Sequence, residues 1–150
     1  MDVVSRTTHS ILAVDDNEQI RELLSIIIGN MGYRYVTAVD GLDALEKLEK
    51  DTFDLVITDI DMPRLNGIEL IKRIVSDFDA VEVIAITGSR DRYGSADIVA
   101  LGAIDLIYKP FDLDGITAKI NQVIDGRSSQ HKALNVNSYG SARQINITSF

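Results

Sequence analysis

Short apolar runs alternate along the chain with longer stretches in which apolar residues recur three and four positions apart. The continuous runs predict five β-strands, at residues 10–14, 35–38, 55–58, 83–86 and 104–108. The spaced residues predict helices at residues 20–31, 41–50, 68–78, 95–101 and 113–124, the last of them capped by Asp112. Strands that alternate with helices predict an α/β fold, a doubly wound parallel sheet with helices on both faces.

Composition and charge limit the kinds of protein that this can be. The 150 residues suit one domain and include no Cys, which excludes disulfides, thiolate metal sites and cysteine nucleophiles. Fifteen basic against 23 acidic residues give a net charge of −8, so we expect no direct binding of nucleic acid. No apolar run approaches the roughly 20 residues of a membrane helix, and the first ten residues lack the apolar centre of a signal peptide. We therefore expect a cytoplasmic protein.

The chain divides into three segments by its pattern. Residues 1–8 are predicted to be an N-terminal extension, and residues 9–125 a single folded domain. Residues 126–150 are polar, contain three basic and no acidic residues, and show little apolar periodicity. We expect this last segment to be a flexible, weakly basic tail or linker.

Polar side chains stand where four of the predicted strands end. Asp15 and Asp16 follow the first strand, Asp59 the third, Thr87 the fourth and Lys109 the fifth. Each of them alone is compatible with an ordinary turn, a helix cap or a solvated lysine. The carboxyl ends of parallel strands meet at one edge of the sheet, however, and form a ligand crevice there. Carboxylates gathered in one crevice repel one another, and Mg²⁺ would relieve that repulsion.

These strand-end residues and the motifs around them resemble the receiver domains of two-component response regulators. The resemblance covers about residues 9–125. Its motifs are the acidic pair after SILAV, the segment DLVITDIDMPRLNG at 54–67, AITG at 85–88 and GAIDLIYKPF at 102–111. It implies a flavodoxin-like fold of five strand–helix units with the strand order 2-1-3-4-5.

The resemblance also implies a role for each strand-end residue. Asp59 is implied to be the phosphoacceptor, which takes a phosphoryl group from a histidine kinase or a histidine phosphotransfer protein. Lys109 would pair with the phosphoryl oxygens, and Thr87 would bond one of them after transfer. The implied ligands of Mg²⁺ are Asp15, Asp16, Asp59 and the backbone carbonyl of Asp61. Such a protein is a signalling phosphoacceptor and not an enzyme, apart from its own phosphorylation and dephosphorylation.

Two positions depart from the family pattern. The family's mobile aromatic stands three residues before the lysine, where this chain has Leu106. Tyr108 is aromatic, but strand alternation places it on the face opposite to Lys109. We therefore expect switching through Thr87, with Leu106 repacking as an apolar side chain. Asp61 stands where many relatives have an uncharged residue, and we expect its side chain to point out of the crevice and to slow phosphorylation by small donors.

Other functions remain open at this point. Phosphohydrolases of the haloacid dehalogenase type also place an acid two residues after a nucleophilic aspartate, as Asp59 and Asp61 are placed, although Met62 and Pro63 then follow and the chain is short for such an enzyme. A nucleotide- or flavin-binding domain would need a phosphate loop in place of the acidic VDDNEQ. A degenerate receiver would act only as an interaction module. The output is also open: a downstream protein partner, a missing effector domain or a homodimer.

Overall fold

The computed structural model describes residues 9–137, with side chains described as far as residue 127. Its five strands are β1 (Ser10–Val14), β2 (Arg34–Ala38), β3 (Leu55–Asp59), β4 (Glu82–Thr87) and β5 (Asp105–Tyr108). Its five helices are α1 (Glu18–Asn30), α2 (Gly41–Lys50), α3 (Gly67–Asp77), α4 (Ser95–Ala100) and α5 (Leu113–Asn137). The predicted alternation of strands and helices is confirmed.

All strand pairs in the sheet are parallel, and the strand order is β2-β1-β3-β4-β5. The predicted doubly wound fold and its strand order are therefore correct. Helices α1 and α5 cover one face of the sheet, while α2, α3 and α4 cover the other. The order reverses between β1 and β3, and this places the crevice at the carboxyl ends of these two strands.

The central strands are buried on both faces, as their continuous apolar sequences indicate. On β3, Leu55 and Ile57 pack against the side of α1 and α5, while Val56 packs towards α2 and α3. Every residue of β1 and β3 is buried, including Asp59 at the end of β3. This burial holds the strand ends in place, so the polar residues there have defined positions.

Side-chain caps begin the helices next to the crevice. Asn17 caps α1 by accepting hydrogen bonds from the backbone N–H groups of Gln19 and Ile20. At the last helix, Asp112 accepts from the N–H of Gly115 at 2.6 Å, which confirms the predicted cap. Each such cap satisfies helix N–H groups that have no partner within the helix. These two caps thus mark where the loops after β1 and β5 end and the helices α1 and α5 begin.

The last helix is longer than the sequence pattern predicts. We expected it to end at Ile124 and to give way to a flexible tail from residue 126, but α5 continues to Asn137. The predicted end of the helix was wrong because residues 125–137 lack the regular apolar spacing by which a helix is recognised in a sequence. That residues 126–150 serve as a tail or linker stays a prediction. An ion pair between Arg127 and Asp54, 3.3 Å apart, joins this extended part to the sheet. The rest of the predicted tail, 138–150, and the N-terminal extension, 1–8, lie outside the described residues.

Across residues 9–137, no helix combines the length and the apolar character needed to cross a membrane.

Candidate functional site

Asp15 and Asp16 lie directly after β1, at the carboxyl edge of the sheet. The Asp15 carboxylate is 1% exposed, whereas Asp16 reaches solvent. One oxygen of Asp15 accepts a hydrogen bond from the N–H of Asn17 at 2.9 Å, and the other accepts from Lys109 Nζ at 3.1 Å. Asp15 is therefore held from two sides, and Asp16 is left facing the open side of the crevice.

Lys109 connects the ends of β1, β3 and β5. Its Nζ lies 3.1 Å from Asp15 Oδ2 and 3.5 Å from Asp59 Oδ1. The main-chain N–H of Lys109 donates to the carbonyl of Thr87 at 2.7 Å, which joins β5 to the end of β4. The strand-end residues predicted from sequence to converge are thus brought together at one edge.

The electrostatics of this edge are dominated by excess negative charge. Burial and then the nearby charge of Asp15 raise the pKa of Asp59 to about 6, while Lys109 acts in the opposite direction. Burial alone would lower the pKa of Lys109, but its contacts with Asp15 and Asp59 hold that pKa above its ordinary value. Lys109 is therefore charged at neutral pH, and it balances the carboxylates only in part.

The carboxylates of Asp15, Asp16 and Asp59 form an acidic cluster that fits a hard divalent cation. Each residue offers one oxygen, and these three oxygens all lie within 4.8 Å of one another. Oxygen ligands with an open, solvent-facing side suit Mg²⁺, which keeps several of its waters. Burial and then the charge of Asp15 raise the pKa of Asp59, and a bound cation would favour the ionised form of this carboxylate.

Asp61 lies at the rim of the crevice, where it contacts the loop between β4 and α4. Its carboxylate accepts hydrogen bonds from Thr87 Oγ1 at 3.4 Å and Ser89 Oγ at 3.2 Å. It also pairs with Arg92, 3.3 Å away. The Asp61 side chain is exposed, as its predicted outward direction requires, but these contacts attach it to the loop after β4. Its predicted effect on small phosphodonors stays a prediction.

Contacts at Gly67 and at Arg64 fix the loop that runs from Asp59 to Gly67. Gly67 packs so closely on the carbonyl of Asp59 that a Cβ at residue 67 would collide with that backbone. On the other side, Arg64 Nε donates to the buried Asp40 carboxylate at 2.6 Å. This bond from Arg64 lowers the pKa of Asp40, which also caps α2 through the N–H of Asp43. The loop that carries Asp61 is thereby tied to the start of α2.

Comparison with known proteins agrees with this geometry. The family model of the response regulator receiver domain matches residues 11–121 of the chain. The chain belongs to this family. The match does not support the alternative of a dehalogenase-type phosphohydrolase.

Curated relatives are similar over this same region. The chain is 34% identical over 113 residues to the transcriptional regulatory protein CrdR of Helicobacter pylori, covering 75% of this chain and 53% of CrdR. It is 32% identical over 127 residues to the response regulator ArlR of Staphylococcus aureus, covering 85% of this chain and 57% of ArlR. A third relative, the sensor kinase/phosphatase CqsS of Vibrio cholerae, is 35% identical over 119 residues, 77% of this chain and 17% of CqsS. The chain thus spans between 17% and 57% of the length of these relatives.

Solved structures share the fold of this receiver domain. The protein TrrA of Thermotoga maritima, solved in complex with Mg²⁺ and BeF, has a TM-score of 0.70 and 33% identity. That match covers 77% of this chain and 98% of the TrrA chain. The chemotaxis protein CheY4 of Vibrio cholerae has a TM-score of 0.69 and 32% identity, with coverage of 77% and 98%.

Leu106 and Tyr108 of β5 lie on a common face of the receiver sheet, whereas Ile107 packs on the opposite face. Leu106 is buried among the residues under α2, α3 and α4, and Tyr108 packs against the same cluster. Tyr108 Oη donates to the carbonyl of Tyr93 at 2.9 Å. Strand alternation separates Tyr108 from Lys109, as predicted, but it does not separate Tyr108 from Leu106. The predicted role of Leu106 in switching stays a prediction.

Sequence reasoning missed four side chains that support the site. These are Asp40, Arg64, Ser89 and Arg92. The N-cap preference at Asp40, just before Gly41, was available in the sequence. The other contacts depend on how two loops approach each other, and local patterns carry no information about that.

Proposed function

We propose that this receiver domain takes a phosphoryl group onto Asp59 in a Mg²⁺-dependent reaction and so controls a downstream protein. The observation that carries the proposal is the setting of Asp59: a buried carboxylate at the end of a central strand, with Lys109 3.5 Å away. It shares its cluster with two further carboxylates, Asp15 and Asp16. This combines a nucleophile, a fixed positive charge and a place for a cation.

The proposed reaction is a phosphoryl transfer that needs mostly positioning and neutralisation of charge. An oxygen of Asp59 attacks the phosphorus of a phosphohistidine on the partner. The new P–O bond forms as the P–N bond breaks, and the electron pair of that bond stays with the imidazole. Lys109 pairs with the incoming phosphoryl oxygens, and the Thr87 hydroxyl bonds one of them after transfer.

The cofactor in this proposal is Mg²⁺, held by Asp15, Asp16, Asp59 and the backbone carbonyl of Asp61. When bound, it neutralises negative charge on the phosphoryl oxygens and on the acidic cluster. Support comes from the donor set of this chain and from the Mg²⁺ and BeF complex of the related TrrA. The metal also requires Asp59 to be ionised, which its raised pKa allows at neutral pH.

The proposed partners follow from the same chemistry. The donor is a histidine kinase or a histidine phosphotransfer protein, and the setting is the cytoplasm. The output is a protein partner or an effector domain outside this chain, because the relatives that match are longer than the matched region. A homodimer is a further possible output, and we assign no nucleic-acid or membrane binding to this domain. The domain has no catalytic activity beyond its own phosphorylation and dephosphorylation.

Beryllofluoride, a phosphoryl mimic, provides a direct test of this function. With Mg²⁺, we expect it to shift the amide NMR signals of Asp59, Thr87, Lys109 and the 88–108 segment. This follows because the mimic draws the Thr87 hydroxyl inwards, and Leu106 repacks behind it. The Asp59→Asn variant is the control and should show no such shifts. Signals of 88–108 that stay unchanged in the parent protein would contradict the proposed switch.

A further inference from the structure

We infer that Asp61 is a positioning residue, whose carboxylate holds the Thr87 hydroxyl and the β4–α4 loop, residues 88–94, in their resting positions. The inference rests on the proposed phosphoacceptor function and assigns to Asp61 a part in regulating it. In this role Asp61 accepts the hydrogen bond from the Thr87 hydroxyl in the resting protein. A phosphoryl group on Asp59 must replace Asp61 as the acceptor of that bond.

The hydrogen bonds around Thr87 determine where its hydroxyl proton points. Thr87 is fully buried, and its Oγ1 accepts a hydrogen bond from the N–H of Ser89 at 3.0 Å. A hydroxyl has a single proton to donate, and here Thr87 donates it to Asp61 Oδ2 at 3.4 Å. This contact is long for a hydroxyl hydrogen bond, and because the one proton serves one acceptor at a time, a bond from Thr87 to a second acceptor would replace it.

Asp61 also holds the loop that follows Thr87. Ser89 Oγ donates to the same Oδ2 atom at 3.2 Å, and Arg92 Nη1 donates to Oδ1 at 3.3 Å. The loop is compact, since the N–H groups of Arg92 and Tyr93 both donate to the carbonyl of Ser89. One carboxylate on the β3–α3 loop thus contacts three side chains from β4 and the loop after it.

The far side of the loop has a separate attachment to β5. Tyr108 Oη donates to the carbonyl of Tyr93, and the Arg90 guanidinium lies 4.4 Å from the centre of the Tyr108 ring. Breaking the contacts of Asp61 would therefore release the Ser89 side of the loop and leave the Tyr93 side attached. The loop can then turn about Tyr93 without detaching from the domain.

A phosphoryl group on Asp59 acts against this arrangement in two ways. It brings a charge of about −2 and three acceptor oxygens, which compete for the Thr87 proton. It also repels the Asp61 carboxylate, whose charge already acts on Asp59 in the resting protein. Asp61 then loses the hydrogen bond from the Thr87 hydroxyl, and its contacts with Ser89 and Arg92 are weakened. Phosphorylation at Asp59 is thereby converted into movement of the β4–α4 loop.

The test removes the Asp61 carboxylate and measures the loop directly. The variants are Asp61→Ala and, to keep size and an oxygen acceptor without the charge, Asp61→Asn. The matched control is Asp91→Ala, which removes one negative charge from the same loop, where Asp91 is exposed and is not among the hydrogen-bond partners of the Thr87 hydroxyl. Amide NMR signals and beryllofluoride affinity at saturating Mg²⁺ are recorded for each protein.

Without the mimic, the Thr87 and Ser89 signals of Asp61→Ala should move towards their positions in the mimic-bound parent. The Asp61→Ala protein should bind beryllofluoride about threefold to tenfold more tightly, with Asp61→Asn between it and the parent. Unmoved Thr87 and Ser89 signals, or an affinity gain no larger than that of Asp91→Ala, would overturn the inference. A parent protein that does not bind beryllofluoride would instead overturn the proposed function. In that case the mimic-free signals still test whether Asp61 holds the loop: Asp61→Ala should shift the Thr87 and Ser89 signals away from their positions in the mimic-free parent, and Asp91→Ala should not.

Discussion

Replacing Asp59 with Asn is expected to stabilise the magnesium-free protein by about 2–3 kcal/mol at about pH 8. The physical reason is the raised pKa of Asp59, which is about 6 instead of its ordinary 3.8 because the carboxylate is buried and faces Asp15. Ionising Asp59 above its ordinary pKa therefore costs free energy in the folded protein but not in the unfolded chain. Asn has nearly the same shape and carries no charge, so this cost disappears.

The pH dependence gives the sign of this effect. Between about pH 4 and about pH 6, the unfolded chain loses the Asp59 proton before the folded protein does. The contribution of Asp59 to the free energy of unfolding of the parent should therefore fall as pH rises through this window and stay low above it. The advantage of Asp59→Asn should be near zero at about pH 4 and complete above about pH 7.

Urea unfolding in the presence of a chelator measures this prediction at both ends of the window. Asp79→Asn is the control, because Asp79 is exposed to solvent and its replacement removes a charge that is not buried. Added Mg²⁺ should stabilise the parent and have little effect on Asp59→Asn, since it supplies the charge that the cluster lacks. An Asp59→Asn protein that is no more stable than the parent at about pH 8 would show that the ionised Asp59 carboxylate does not destabilise the folded protein.

Replacing Lys109 with Gln is expected to lower the rate of phosphorylation by about 10²-fold. Lys109 is the charged group that contacts both Asp15 and Asp59, and the same ammonium group lies where phosphoryl oxygens would arrive. Gln can still donate a hydrogen bond, but it does not supply the positive charge. The measurement is the initial rate of phosphoryl incorporation from acetyl phosphate at saturating Mg²⁺.

Lys119→Gln is the matched control for this rate. Lys119 also forms an ion pair with an aspartate, Asp105, but it lies on α5 away from the acidic cluster. Its replacement should leave the rate within about twofold of the parent, because this half-buried pair lies at the start of β5, at the opposite end of that strand from Lys109. Similar losses in both variants would indicate a general effect of removing positive charge and would contradict the assigned role of Lys109.

The sequence was sufficient to predict the fold and the composition of the site. Continuous apolar strands between amphipathic helices predict a parallel sheet, and in such a sheet the residues after each strand share an edge. Asp15, Asp59 and Lys109 could therefore be placed together although they are far apart along the chain. The prediction succeeded because it depended on the direction of the strands and not on details of the loops.

What the sequence did not predict depends on contacts between loops and on the part of α5 that follows Ile124. The Arg64–Asp40 pair joins the β3–α3 loop to the start of α2, and neither segment alone indicates the other. The contacts of Asp61 depend on the path of the β4–α4 loop in the same way. The extension of α5 beyond Ile124 escaped prediction because that part lacks the apolar stripe by which a packed helix is recognised.

The most direct measurement of the central claim is phosphoryl incorporation from acetyl phosphate, located by mass spectrometry of peptides. The account predicts a single phosphoryl group on Asp59, formed only with Mg²⁺ and absent from Asp59→Asn. Incorporation at another residue, incorporation that persists in chelator, or no incorporation from either acetyl phosphate or a phosphorylated histidine phosphotransfer protein would contradict it.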